Sequence, residues 1–116
     1  MGNLKIMTPT KQQRSKEIAE CVSKISSYYG IDPMKVMTAF SNKCNRISEA
    51  RNLLWFHLHD CGMGHNAIGR IWKLSGDHIA KRVKQGSITL LPDDLLLLKT
   101  LPRISSTLEI GRVENT

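Results

Sequence analysis

From Ser15 onward the apolar positions Ile18, Val22, Ile25 and Tyr29 recur every three or four residues, which predicts a helix of roughly four turns with one buried stripe. Gly30 follows it as a left-handed cap. Asp32 can accept from free backbone amides, Pro33 suits the first helical position, and Ile31 can close over Val36. A short second helix from Pro33 to about Phe40 is the expectation. The polar and basic stretch SNKCNR (41–46) then interrupts the pattern as an exposed loop. After it Ile47, Ala50, Leu54, Leu58 and Cys61 form a stripe that Leu53, Trp55 and Phe56 broaden. A helix apolar on so many sides is usually enclosed by the others, so this one is expected at the centre.

Gly62 and Gly64 stop the central helix, and HNAIGRIWK starts another, with Asn66 as its expected cap and Ile68, Ile71 and Trp72 as its apolar face. LSG makes a tight turn. DHIAKRVKQ resumes as a helix with Ile79, Ala80 and Val83 inward and Lys81, Arg82 and Lys84 outward, closed by Gly86. Pro92, Asp93 and Asp94 suit a further helix start and Pro102 forbids continuation, which predicts a short helix from Pro92 to Leu101. A strand over SITLL is the competing reading there. The pattern as a whole predicts an all-α fold, a compact bundle of five to six helices containing a helix-turn-helix. Its expected organisation is a flexible arm over 1–12, a single domain over 13–102 and a loose tail over 103–116.

Length supports one domain, because 116 residues fill a single modest core and a second would leave both under-filled. Charge adds a direction. The net charge of +7 is uneven: residues 1–86 hold 14 basic and 6 acidic side chains, residues 87–116 only 3 and 4. Such a positive field attracts polyanions, nucleic acid or acidic membranes, without specifying a sequence. No apolar run approaches the ~18 to 20 residues that span a bilayer, so no membrane role is expected. An odd number of cysteines and an N-terminus lacking the features of a secretory signal point to the reducing cytoplasm.

The stretch from Leu58 to Gly86 admits three chemistries. A metal reading starts from His57 and Cys61, i and i+4 on one helix face, with His59, His65 and Cys44 to complete a tetrahedral set, but the spacing matches no common zinc pattern. The alternative makes Cys61 a core residue and the three histidines surface groups. A thiol-nucleophile reading of Cys61 lacks an orienting third group, and no phosphate-cradling GxxxxGK[ST] segment is present. Neither a catalytic site, a cofactor nor a bound metal is therefore expected.

The helix-turn-helix reading uses more of the residues. Gly69 supplies the small residue at a steep helix crossing, and Ile68, Trp72, Leu74 and Ile79 supply the inner faces. Lys73 stands at a place often filled by glycine. A recognition helix over about 77–85 would present Ser75, Asp77 and His78 at its leading end to base edges, with Lys81, Arg82 and Lys84 reaching phosphates or bases. Asp77 could cap the helix, accept from a cytosine amino group, or do both.

VSKISSYYGIDPMKVM, a basic loop, and ISEARNLLWFHLHDCGMGHNAIGRIWKLSGDHIAKRV together resemble the C-terminal DNA-binding domain of the bacterial replication initiator DnaA, in the Trp-repressor-like helix-turn-helix group. The resemblance covers roughly residues 18 to 85, and its most specific pieces are YYGI, EAR, IGR and DH. It implies that the helix following Asp77 and His78 enters the major groove. It also implies that Lys43, Arg46 and Arg51, in the basic loop and its helix, reach the adjacent minor groove or backbone. Ile79 and Ala80 stand where that family places base-contacting threonines, so the resemblance implies the fold rather than the family's DNA box. The nucleotide-binding motor of that initiator exceeds this length, which suggests a free-standing module of the kind phages and mobile elements carry.

The function expected is sequence-preferring binding of double-stranded DNA in replication initiation or transcription regulation. The alternative is a helical protein-interaction module, an inhibitor or adaptor, that meets a partner protein or a second copy through the leucine-rich segment 88–101.

Overall fold

The computed structural model describes residues 11–38 and 45–104, and they form an all-α bundle. Six helices occur among the described residues: α1 Lys11–Tyr29, α2 Pro33–Met37, α3 Asn45–Asp60, α4 His65–Trp72, α5 Gly76–Ile88 and α6 Pro92–Thr100. No strand occurs among them. Residues 1–10, 39–44 and 105–116 lie outside the description, and with them most of the expected arm, the loop residues Lys43 and Cys44, Phe40, and most of the expected tail.

Turn chemistry sets where α1 ends and α2 begins. Gly30 takes φ +69°, its N–H reaches the Ser27 carbonyl, and Ile31 N–H reaches Ser26, closing α1 with the paired bonds of a left-handed cap. Asp32 then accepts from Met34 N–H at 3.0 Å, and Pro33 opens α2 where its missing donor costs nothing. α2 stops at Met37, sooner than expected, with Val36 wholly buried.

α3 is the central helix. Ile47, Ala50, Leu53, Leu54, Trp55 and Leu58 are all buried on it, and α1, α2, α4 and α5 pack around it. Trp55 and Trp72 meet edge to face with centroids 5.6 Å apart, the arrangement that the charge distribution of two aromatic rings favours. Below them α1 contributes Ile18, Cys21, Val22 and Ile25 to the same core.

Several expectations at helix ends are corrected. α1 begins by Lys11, inside the expected arm. Gly64, not Asn66, is the N-cap of α4, without a side-chain bond. Gly86 does not end α5, which continues to Ile88, so Ser87 and Ile88 of the alternative strand are helical. A glycine is needed inside that helix because a Cβ at Gly86 would meet the Asn52 carbonyl of α3 at 2.9 Å. α6 stops at Thr100 and Leu101 caps it, one residue short of the expected end. The start of the expected tail is packed: Ile104 is buried, and Arg103 pairs with Asp60 at 3.2 Å.

Candidate nucleic-acid interface

α4 and α5 are joined by three residues, and their close approach rests on two backbone features. Lys73 adopts the left-handed conformation (φ 59°, ψ 42°), and Leu74 N–H then returns to the Gly69 carbonyl at 2.8 Å. At Gly69 there is no room for a Cβ, which would run into the Leu74 carbonyl. Gly76, opening α5, sits equally close against the Asn66 side chain. Asn66, exposed in the first turn of α4, thus lies against Gly76 and does not take its expected capping role.

Ser75, not Asp77, caps α5: its hydroxyl accepts from His78 N–H at 3.1 Å. Ser75 is thereby engaged with the helix's own backbone, which anchors the leading end. Asp77 stands exposed in the first turn, where a carboxylate interacts favourably with the partial positive charge of the helix N-terminus.

Along α5 the inner face consists of Ile79, Val83 and Gly86, all buried. Lys81 and Lys84 are exposed on the outside. Arg82 is half-buried, because position 82 follows Ile79 by three residues and precedes Gly86 by four, and so flanks the inner stripe. His78 is exposed, yet its ring lies edge-on to Trp55 at a centroid distance of 6.2 Å. Partial burial, followed by the nearby charges of Arg82, Lys81 and Arg51, holds its pKa below the ordinary 6.5.

Arg51 departs from its expected place. It is 9 % exposed, and its guanidinium donates to the Val36 carbonyl at 3.2 Å and to the Lys35 carbonyl at 3.1 Å. These are end carbonyls of α2, which a five-residue helix cannot satisfy internally. Burial and then the nearby charge of Arg82 push the Arg51 pKa down. Arg51 is a structural clamp that adds to the local potential rather than an exposed contact. Arg46, in the first turn of α3, is exposed, and Lys43 lies outside the described residues.

Arg70 on α4 and Lys73 in the turn after it are two further exposed cations. Their signal in the sequence is simple: each is a charged residue off the apolar stripe formed by Ile68, Ile71 and Trp72.

The histidines divide differently from either expectation. His57 is buried, not on the surface; its Nε2–H donates to the Pro102 carbonyl at 2.9 Å, and Cys61 Sγ is 3.6 Å away. His59 and His65 stack at 4.3 Å, with His59 Nδ1 against the Met63 carbonyl. Among the described residues no group of three or more His, Cys, Asp or Glu stands where it could hold a metal, and Cys44 lies outside them. Cys61 is buried, and burial raises its thiol pKa, the reverse of what an activated nucleophile requires. No helix among the described residues is long and apolar enough to cross a membrane.

No protein-family model, curated protein or solved structure matches the chain.

Proposed function

We propose that this protein binds double-stranded DNA with a sequence preference, using α5 in the major groove, and acts in replication initiation or transcription regulation without chemistry of its own. The observation that carries the reading is the division of α5. Ile79, Val83 and Gly86 fasten it to the core, while Asp77, His78, Lys81 and Lys84 are exposed, and Ser75 caps its leading end. A helix held in this way offers its first turns to base edges and its cations to phosphates. The concentration of positive charge before residue 87 and the resemblance to the DnaA C-terminal domain point the same way.

Titration of a labelled duplex library by fluorescence anisotropy over a range of salt tests it. Lys81→Ala is expected to weaken binding and to reduce the salt slope by about 1. Its stability should stay within ~0.5 kcal/mol of wild type, as for exposed positions generally. Equal binding by Lys81→Ala, Arg82→Ala and wild type at fixed salt would overturn the reading.

A second reading rests on the far side of the chain. Ile88, Leu91, Leu95 and Leu96 are 73 %, 61 %, 48 % and 62 % exposed, while Leu97 and Leu98 pack against the core. Neighbouring exposed side chains of this size favour a homodimer or partner-protein surface over 88–101. Light scattering on wild type and Leu96→Asp decides the dimer form: a monomeric wild type removes it.

A further inference from the structure

Three residues, 89–91, join α5 to α6. Thr89 caps α5 in a bent conformation (φ −97°, ψ 11°), whereas Leu91 is already extended (φ −105°, ψ 161°) and Pro92 opens α6. Proline keeps the residue before it out of the helical region, so α5 and α6 do not fuse into one helix, and the direction of everything beyond the joint is set at Thr89 and Leu90. A hinge this short favours exchange of the following element between molecules.

Beyond the hinge, residues 92–104 form an arm that lies against α1 and runs in the opposite direction. The Tyr28 hydroxyl donates to Asp94 at 2.9 Å, Lys24 Nζ to the Thr100 carbonyl at 2.9 Å and Cys21 Sγ to the Pro102 carbonyl at 3.7 Å, so residue numbers fall along α1 as they rise along the arm. The arm ends over α3, where His57 donates to the same Pro102 carbonyl and Asp60 pairs with Arg103. Leu101 and Ile104 are its buried anchors. Among the described residues α6 packs closely against no other helix, in contrast to α1, α3, α4 and α5. Side chains therefore make the attachment, and an identical arm from another molecule can make every one of these contacts.

Ile88 and Leu91 flank the hinge, and Leu95 follows one turn along α6; all three are exposed. Exchange brings two hinges together at a two-fold axis, where these side chains gain apolar burial that the single molecule lacks. We propose that the apolar surface over 88–96 is covered by a second copy of this chain, in a dimer where each arm sits on α1 and α3 of the other molecule. Such a dimer rests on the homodimer form of the second reading above, and it is independent of whether α5 meets DNA. A side-by-side dimer through Leu96 leaves each arm on its own body, which is a measurable difference.

The test is charge exchange at the Asp60–Arg103 pair, both of whose side chains are exposed. Asp60→Arg sets like charges on the body and arm of one molecule, and Arg103→Asp does so with the opposite sign. In an equimolar mixture of the two variants, exchange alone places each arm on a body of complementary charge. Light scattering should show about fivefold more dimer in the mixture than in either variant alone, the effect of restoring two exposed ion pairs. Insertion of two glycines after Thr89 should shift the wild-type chain toward monomer, because a longer hinge lets the arm return to its own body. A dimer no more abundant in the mixture than in the separate variants, or insensitive to the longer hinge, overturns arm exchange and leaves the side-by-side dimer standing. Monomer at every concentration, for wild type and mixture alike, overturns both.

Discussion

The indole Nε1–H of Trp72 on α4 donates to the main-chain carbonyl of Val36 on α2 at 2.9 Å, and the same carbonyl accepts from Arg51 Nε at 3.2 Å. One oxygen near the end of a five-residue helix thus joins α2 to both α3 and α4. A carbonyl has two lone pairs, so both donors can be satisfied together. Trp72→Ala removes this bond and the edge-to-face contact with Trp55, and should destabilise the fold by ~3 to 5 kcal/mol. Trp72→Phe keeps most of the packing and leaves the carbonyl with Arg51, so ~1 to 2 kcal/mol is expected. Urea unfolding of the two variants checks the order; equal losses would show that the packing removed only in Trp72→Ala contributes nothing beyond the hydrogen bond that both variants lose.

Gly69→Ala should cost ~1 to 3 kcal/mol, the range of an overpacked position, since the new methyl meets the Leu74 carbonyl rather than a movable side chain. The backbone must yield, and with it the angle between α4 and α5. Thermal unfolding gives the cost, and amide shifts of residues 74–79 give the displacement. An alanine variant as stable as wild type would mean that the two helices can separate freely.

Lys73→Gly should stabilise the protein by ~0.5 to 1 kcal/mol. A non-glycine residue at φ 59° carries a steric cost of ~1 to 2 kcal/mol, part of which glycine gives back as unfolded-chain entropy. Calorimetric melting temperatures of the two proteins at one pH suffice, and a lower value for the glycine variant would contradict the expectation.

His57 has its pKa above the ordinary 6.5: burial alone would lower it, but the contacts with the Cys21 thiol and the Pro102 carbonyl outweigh that. A raised folded-state pKa means that the native state holds the proton more tightly than the unfolded chain. The resulting stability is fully present below 6.5 and is lost as pH rises through the raised folded value. The melting-temperature difference between wild type and His57→Asn should therefore be largest in mild acid and shrink toward alkaline pH. A difference that is constant from about pH 5 to 8 would show that the ring's charge plays no part.

His78 moves the other way. Its pKa is lowered in the free protein, so the ring is neutral near pH 7. Phosphates brought close to α5 would offset the repulsion from Arg82 and Lys81 and raise that pKa, so DNA binding takes up a proton. Affinity at fixed salt should rise as pH falls from about 8 to 6. His78→Gln should flatten the profile, and an unchanged slope in that variant would remove His78 from the interface.

Much of the bundle was legible in the order of residues because local rules decide it. Gly30, Asp32 and Pro33 specify a stop and a start within four residues, and the apolar stripes of α1 and α3 name most of the core. Helix caps were less legible, because several residues can compete for one local role. Ser75 and Asp77 can each cap α5, and the earlier residue wins because the chain turns tightly enough at Lys73 for the helix to begin at Gly76. Within the candidate interface, Lys81 and Lys84 were legible from periodicity. Arg51 was not, since a cation in the first half of a helix reads as exposed until its partners are known.

The alternation of apolar and polar positions, the glycine and proline breaks and the uneven charge by themselves determined that this chain is helical, where α1 and α3 stop, and that its positive charge lies ahead of residue 87. These are properties of short windows, set by backbone preference and side-chain period. Tertiary structure alone decided that Arg51 turns inward to the ends of α2, that His57 is buried beside Pro102, and that Gly86 must lack a side chain where α5 crosses Asn52. Each depends on a residue distant in sequence supplying a carbonyl or occupying a volume, and no window of the chain contains both partners.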